Sequence, residues 1–476
     1  MLGDGQKLDE HALTKLRSEL RSVDSELIGV LARRIRLVRK IGLQKRKLKM
    51  GVIDAVAEKL VMENILASAA ETGVEKVYAR RVAELLIEGS VDVQMQCRPP
   101  RASKDSLLKQ FSEMMLKTEK KGRRLIRLDI GEPCFKTPAA AVREAKRCLS
   151  QSPTILYGSS AGLTELTDAI ATQLNRQYGT RLARSNILIF PGARFAIFAA
   201  MRTAVSSLER VVICQPAWPP YESFIALVGA RALSISTSLE NGWDINLSTL
   251  EDELKLRPKM LVLNYPNNPT GKVLPEKRFR EVMDLAKKYG AIVLSDEVYA
   301  SYYRSSVPSV LQYPGIEAIY VNSFSKEFSM TGWGIAYAVG DERRIAKMRS
   351  IVETTITNVP EFVQRAALAA LKDPSGEAAR ARGEIGRRLA MACEGLRKAD
   401  FEFYVPEGGF YVFPRIKRRD MDSAKFAEYL FSKHRVGVLP GTIFGAYKSF
   451  VRLAVTESEA AVKTGIRRIA KARNEW

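Results

Sequence analysis

Apolar residues in the first part of the chain recur at helical spacing. Leu13, Leu16, Leu20, Val23, Leu27, Leu31, Val38 and Ile41 stand three, four or seven residues apart on one stripe, with charge between them. The pattern predicts a single long helix reaching to near Met50. Gly51 breaks it, Asp54 is a candidate cap for a second helix, and Gly73 separates that from a third ending near Gln96. At ~1.5 Å per residue, a helix of about forty residues is roughly 60 Å long. A unit this small covers such a stripe only with help from shorter helices or another chain, so dimerisation is expected here.

Beyond Ser103 the pattern changes to short β-branched runs alternating with helical stretches. Examples are Val211-Val212-Ile213, Leu261-Val262-Leu263 and Ile292-Val293-Leu294. This predicts an α/β fold with a mostly parallel sheet covered on both faces. In such sheets chemistry gathers at the carboxyl ends of strands. Composition changes at the same place: residues 1–98 contain no Pro, Phe or Trp, and Pro99-Pro100 follows. The expected division is a helical domain at 1–97, a linker at 98–104 and an α/β domain at 105–476.

The chain has 476 residues, of which 46% are hydrophobic and 27% charged, a globular composition. No apolar run approaches the ~18–20 residues of a membrane span, and the N-terminus carries no basic-then-apolar segment, so a soluble, cytoplasmic protein is expected. Cys97, Cys134, Cys148, Cys214 and Cys393 are scattered without a CxxC pair, arguing against disulfides and a thiolate metal site. With His11 and His434 the only histidines, catalysis must rest on Lys, Arg, carboxylates, Tyr or a cofactor, and no metal is expected. The formal charge of +22 suits anionic small molecules. The basic residues are spread along the whole chain and mark no polyanion site, so a nucleic-acid partner is not expected.

Three predicted strand ends deliver distinctive strings: NYPNNPTG at 264–271, SDEVY at 295–299 and SFSKEFSMTGWG at 323–334. Together with PGARFAIF at 191–198, LPGTIFG at 439–445 and VRLAV at 451–455, they resemble the class I aminotransferases of pyridoxal-phosphate fold type I. The resemblance spans about residues 104–476. It implies a large subdomain at about 155–380 and a small one at about 105–154 and 381–476. It further implies Lys326 as the Schiff-base and proton-shuttling lysine, since an amine serves both roles. Asp296 would hold the ring nitrogen protonated, Asn268 and Tyr299 would hydrogen-bond the phenolic oxygen, and Trp218 would stack on the ring. Gly192, Ala193 and Arg194 would meet the phosphate at a helix N-terminus, joined by Ser323 and by Tyr157 reaching into the neighbouring subunit. Arg452 would clamp the substrate α-carboxylate, with Gly131 opposite. One position departs: Gly334 stands where the family usually carries a phosphate-binding arginine, and another cation such as Arg194 would have to compensate.

Residues 8–96 resemble the all-helical chorismate mutases. Arg17, Arg34, Lys45, Asp54, Glu58, Ser90 and Gln94 match that family's active-site positions, while Ala57 stands where some members carry a further Arg. Arg34 and Lys45 are three helical turns apart and share a face, whereas Arg17 points about a quarter-turn away, as expected if, as the resemblance implies, it enters the other subunit's site. The rearrangement needs no nucleophile, only carboxylate clamps and donors to the breaking ether oxygen. The resemblance gives the carboxylates to Arg17 and Arg34, the ether oxygen to Lys45 and Gln94, and the hydroxyl side to Glu58 and Asp54.

Fusion of the two implies a bifunctional enzyme of aromatic amino acid biosynthesis, converting chorismate to prephenate and then transaminating prephenate or an aromatic 2-oxo acid. Glutamate or aspartate would be the donor, and a homodimer the expected assembly. The alternatives are a non-catalytic, ligand-sensing helical domain, or a carbon–sulfur lyase in the larger one.

Overall fold

The computed structural model describes residues 4–48, 50–52, 54–97, 110–111, 113–115, 125–151, 156–302, 307–416 and 422–476. The chain separates into two compact units, Met1–Ala102 and Ser103–Trp476. The linker expected at 98–104 lies outside the described residues.

The first unit is three helices: α1 (Asp4–Lys47), α2 (Ala55–Thr72) and α3 (Lys76–Gln96). Asp54 caps α2 by accepting from the Ala57 N–H, and Gly73 closes it in the left-handed conformation at φ 76°. α1 ends at Lys47, a little before the expected Met50. Most of its stripe is uncovered: Leu31 is half-buried and Val38 buried, but Ile41 beyond them is exposed. Gly42 lies so close to α3 that a Cβ there would meet the Gln94 Cα at 3.0 Å. Toward the N-terminal end Leu16, Leu20, Val23 and Leu27 are all about 60% exposed.

The second unit is built on a seven-stranded sheet of order β2-β8-β7-β6-β5-β3-β4. The strands are β2 (Ile187–Phe190), β3 (Arg210–Gln215), β4 (Arg231–Ser236), β5 (Met260–Asn264), β6 (Ile292–Asp296), β7 (Ala318–Ser323) and β8 (Ala336–Val339). Neighbours from β4 through β7 pair in parallel, while β8 runs antiparallel to both β7 and β2, so the sheet is mixed. Alternate residues feed two cores: Val212, Leu261 and Val293 pack with helices Thr164–Tyr178 and Glu276–Tyr289, while Val211, Val262 and Leu294 pack with helices Ala193–Ala204 and Glu342–Thr355. Burial on both faces is why these strands read as continuous apolar runs.

A third core gathers around two small sheets. β1 (Ile126–Arg127) pairs with β10 (Val436–Gly437), and β12 (Val451–Ala454) lies between β11 (Leu439–Pro440) and β9 (Tyr411–Val412). No described helix is long and apolar enough to cross a membrane.

Candidate active sites

In the ladder of the large sheet Asn264 stands opposite Asp296, so β5 and β6 end at one level. The turns that follow carry Asn268 and Tyr299. β7 ends at Ser323, whose side chain caps the short helix Phe324–Glu327 carrying Lys326. These residues line a cavity of about 490 Å³, together with Gly131, Gly192, Ala193, Arg194, Trp218, Gly334 and Arg452. Tyr157 is not among the lining residues and is 85% exposed on its own loop.

Lys326 donates from Nζ to the Gly131 carbonyl at 2.7 Å. Burial lowers its pKa to about 8, Arg452 and Arg194 add to that, and Glu132 opposes it. Asp296 is 4% exposed, and burial raises its pKa to about 6. The Tyr221 hydroxyl donates to Asp296 Oδ2 at 2.5 Å and counters that rise.

Arg452 projects from β12 and is 6% exposed. It donates to Asn268 Oδ1 at 3.1 Å and to the Asp129 carbonyl at 2.5 Å, and its plane lies over the Tyr411 ring at 4.5 Å. Its Nε has no hydrogen-bond partner, and among the described residues no carboxylate pairs with it. The nearby Asp129 carboxylate is taken by Arg127 at 2.8 Å. With its oxygen held by Arg452, Asn268 is left with its amide N–H groups to offer. Gly131 is demanded by packing, because a Cβ there would lie 2.0 Å from the Tyr411 hydroxyl. Ser323 is less free than the sequence suggests: its hydroxyl accepts from the Ser325 N–H and donates to the Ile335 carbonyl.

Three participants were not singled out from the sequence. Tyr221 holds Asp296, Asn264 donates to the Asp296 carbonyl at 2.9 Å, and the Tyr411 hydroxyl meets that of Tyr299 at 3.1 Å. Tyr221 lies in the QPAWPPY string beside Trp218, with the two rings edge-on at 5.3 Å. No local pattern marks Tyr411.

In the helical unit Arg34 donates to Ser90 Oγ at 2.7 Å and to the Leu86 carbonyl at 2.9 Å, joining α1 to α3. Lys45 reaches the Val52 carbonyl at 3.2 Å and Asp54 Oδ2 at 3.4 Å. The Ala57 N–H, with Lys45, holds the Asp54 carboxyl below its ordinary pKa. Glu58 is half-buried on the first turn of α2. Gln94 is buried, and its Oε1 has no hydrogen-bond partner among the described residues. Arg17 does not join this group: it is exposed on α1, ~25 Å of helix rise away from Arg34.

The donor set of the larger cavity fits pyridoxal phosphate: an amine of lowered pKa, a buried carboxylate, an uncapped helix N-terminus at Gly192 and an open space where a Gly192 Cβ would meet nothing within 4 Å. Residues 123–469 match the family model of aminotransferase class I and II, and residues 16–95 match that of chorismate mutase type II. An aspartate aminotransferase of Sulfolobus acidocaldarius is 32% identical over 75% of this chain and 92% of its own length. A probable aspartate/prephenate aminotransferase of Aquifex aeolicus is 32% identical over the same shares, 75% and 92%. The solved aspartate aminotransferase of Thermotoga maritima superposes with a TM-score of 0.73 at 29% identity, covering 79% of this chain and 98% of that one. Pyridoxal phosphate is therefore the cofactor of the larger unit, and the chain belongs to the class I and II aminotransferases, fused behind a chorismate mutase type II domain.

Proposed function

We propose that prephenate, formed from chorismate in the helical unit, is the amino acceptor of the larger unit, yielding arogenate with glutamate or aspartate as donor. The observation that carries this reading is the pairing of the two domain families in one chain, which keeps an intermediate close to the site that consumes it. The name of the Aquifex relative, aspartate/prephenate aminotransferase, agrees with it.

When bound, the cofactor supplies the electron sink that makes the substrate α-carbon acidic. The protein does the rest. Lys326 is the amine that would hold the cofactor, and its side chain is placed to move the proton at the substrate α-carbon. Asp296, whose rise in pKa on burial is countered by the Tyr221 hydroxyl, would pair with the ring nitrogen and favour its protonated form. Asn268 and Tyr299 would donate to the phenolic oxygen, Trp218 would cover the ring, and Gly192, Ala193, Arg194 and Ser323 would hold the phosphate. Arg452, buried without a carboxylate partner among the described residues, takes the substrate's α-carboxylate, with the Gly131 backbone opposite.

In the helical unit Arg34 binds a substrate carboxylate, Lys45 and Gln94 donate to the ether oxygen, and Ser90, Asp54 and Glu58 orient the ring side. Arg17, too far along α1 to reach its own site, completes that of a second copy. The assembly is thus a homodimer, with Tyr157 reaching the partner's phosphate, and the five free cysteines suit a reducing cytoplasm.

Initial rates with prephenate, phenylpyruvate, 4-hydroxyphenylpyruvate and oxaloacetate test the acceptor assignment. Prephenate is expected to give the highest kcat/KM. A preference of tenfold or more for either free aromatic 2-oxo acid would overturn it.

A further inference from the structure

Three cations line the larger cavity among the described residues: Arg194, Lys326 and Arg452. Lys326 is tied to the Gly131 carbonyl, and Arg452 is tied to Asn268 and Asp129. Neither is free to neutralise a phosphate at the Gly192 end. Position 334 lines the same cavity but brings no charge, since it is a glycine in the left-handed conformation at φ 61°. The space beside it is open, with only the Pro191 carbonyl 3.8 Å from where a Cβ would sit. The helix N-terminus at Gly192 offers N–H groups and a partial positive charge, which alone leaves most of a phosphate dianion uncompensated.

Arg194 stands on the first turn of that same helix. Its guanidinium lies 5.0 Å from the Trp218 ring centroid and makes no hydrogen bond or ion pair among the described residues. A cation held only against a ring face at an exposed position is weakly held, and its planar fork of donors matches phosphate oxygens. Its charge is already felt inside the site, since it adds to the lowering of the Lys326 pKa after burial and Arg452.

We infer that the side chain of Arg194 supplies the charge that the cofactor's phosphate meets in this chain, the role left empty at position 334. The inference rests on the pyridoxal-phosphate reading of the cavity. It makes Arg194 a phosphate ligand through its guanidinium as well as through its backbone N–H, and it gives Trp218 a second role as the surface on which that guanidinium waits.

The test is a pair of equilibrium titrations of the full-length apo-protein, one with pyridoxal phosphate and one with pyridoxal, followed by absorbance. For Arg194→Gln the Kd for pyridoxal phosphate is expected to rise at least tenfold and that for pyridoxal by less than threefold. Arg194→Lys, which keeps the charge, is expected to recover most of the loss. Equal weakening for both ligands, or unchanged binding of pyridoxal phosphate, would overturn the assignment. An unaltered protein that binds neither ligand would instead overturn the cofactor reading, and this inference with it. Matching thermal unfolding of the apo-variants separates ligand loss from misfolding, and Arg194→Met, which also removes the charge, carries the test should Arg194→Gln not fold.

Discussion

Gly131, Tyr411 and Arg452 form one packed unit at the residue scale, and its weakest tolerance is at the glycine. A methyl group at 131 would overlap the Tyr411 hydroxyl, which also meets Tyr299 and lies under Arg452. Gly131→Ala is therefore expected to raise the KM for both amino donor and acceptor and to lower transaminase kcat/KM by roughly 100-fold, the cost of misplacing a reacting group by about 1 Å. Steady-state kinetics check this, with mutase activity of the same sample as the control. The Lys326 pKa gives a second expectation. Only the neutral amine attacks an aldehyde, so the rate at which apo-protein takes up cofactor should climb with pH to a midpoint near 8 and then level off. A lysine at the ordinary 10.5 would still be gaining at pH 10. Stopped-flow absorbance across pH 6–10 distinguishes the two.

Single elements differ in how much of them can be read in advance. The breaks between the three helices are local events: Asp54 caps through its own side chain, and Gly73 takes a conformation that costs other residues more. The β-branched runs of β3, β5 and β6 announce themselves because both faces are buried, and the strings that follow sit where such strands end. Tyr411 and Tyr221 were not legible, because their roles arise where distant segments pack, and a buried tyrosine looks like any other core residue in sequence. Nor does the stripe of α1 say which of its positions are covered, since the same spacing runs through buried Val38 and exposed Leu27 and Ile41. The close approach of α1 and α3 at Gly42 is equally hidden. There a Cβ would lie 3.0–3.2 Å from Gln94 and Cys97 atoms, so Gly42→Val should wedge the helices apart and cost roughly 1–3 kcal/mol. Mutase kcat is expected to fall at least tenfold through displaced Gln94, with transamination unchanged. Parallel assays of both activities on one preparation measure this.

For the whole molecule, the exposed half of α1 is the feature that a single chain leaves unfinished. Leu16, Leu20, Val23 and Leu27 form a continuous apolar ridge, and covering each is worth roughly 1.5–3 kcal/mol. The same half carries Arg17, which one chain cannot bring to Arg34. Replacing Leu20 and Leu27 by Asp is thus expected to abolish association through this unit and mutase activity together. Sedimentation equilibrium read alongside prephenate formation checks it. A variant that no longer associates through this unit yet still forms prephenate would show that Arg17 is not shared between copies.

The most direct test of two linked activities in one chain is to supply purified protein with chorismate, pyridoxal phosphate and ¹⁵N-glutamate and to identify the products by mass spectrometry. The expected product is ¹⁵N-arogenate, abolished by Lys326→Ala with prephenate accumulating in its place, and abolished by Lys45→Ala with chorismate left intact. Chorismate left intact by the unaltered protein, or prephenate that never acquires the label, would contradict a bifunctional enzyme passing prephenate from one site to the other.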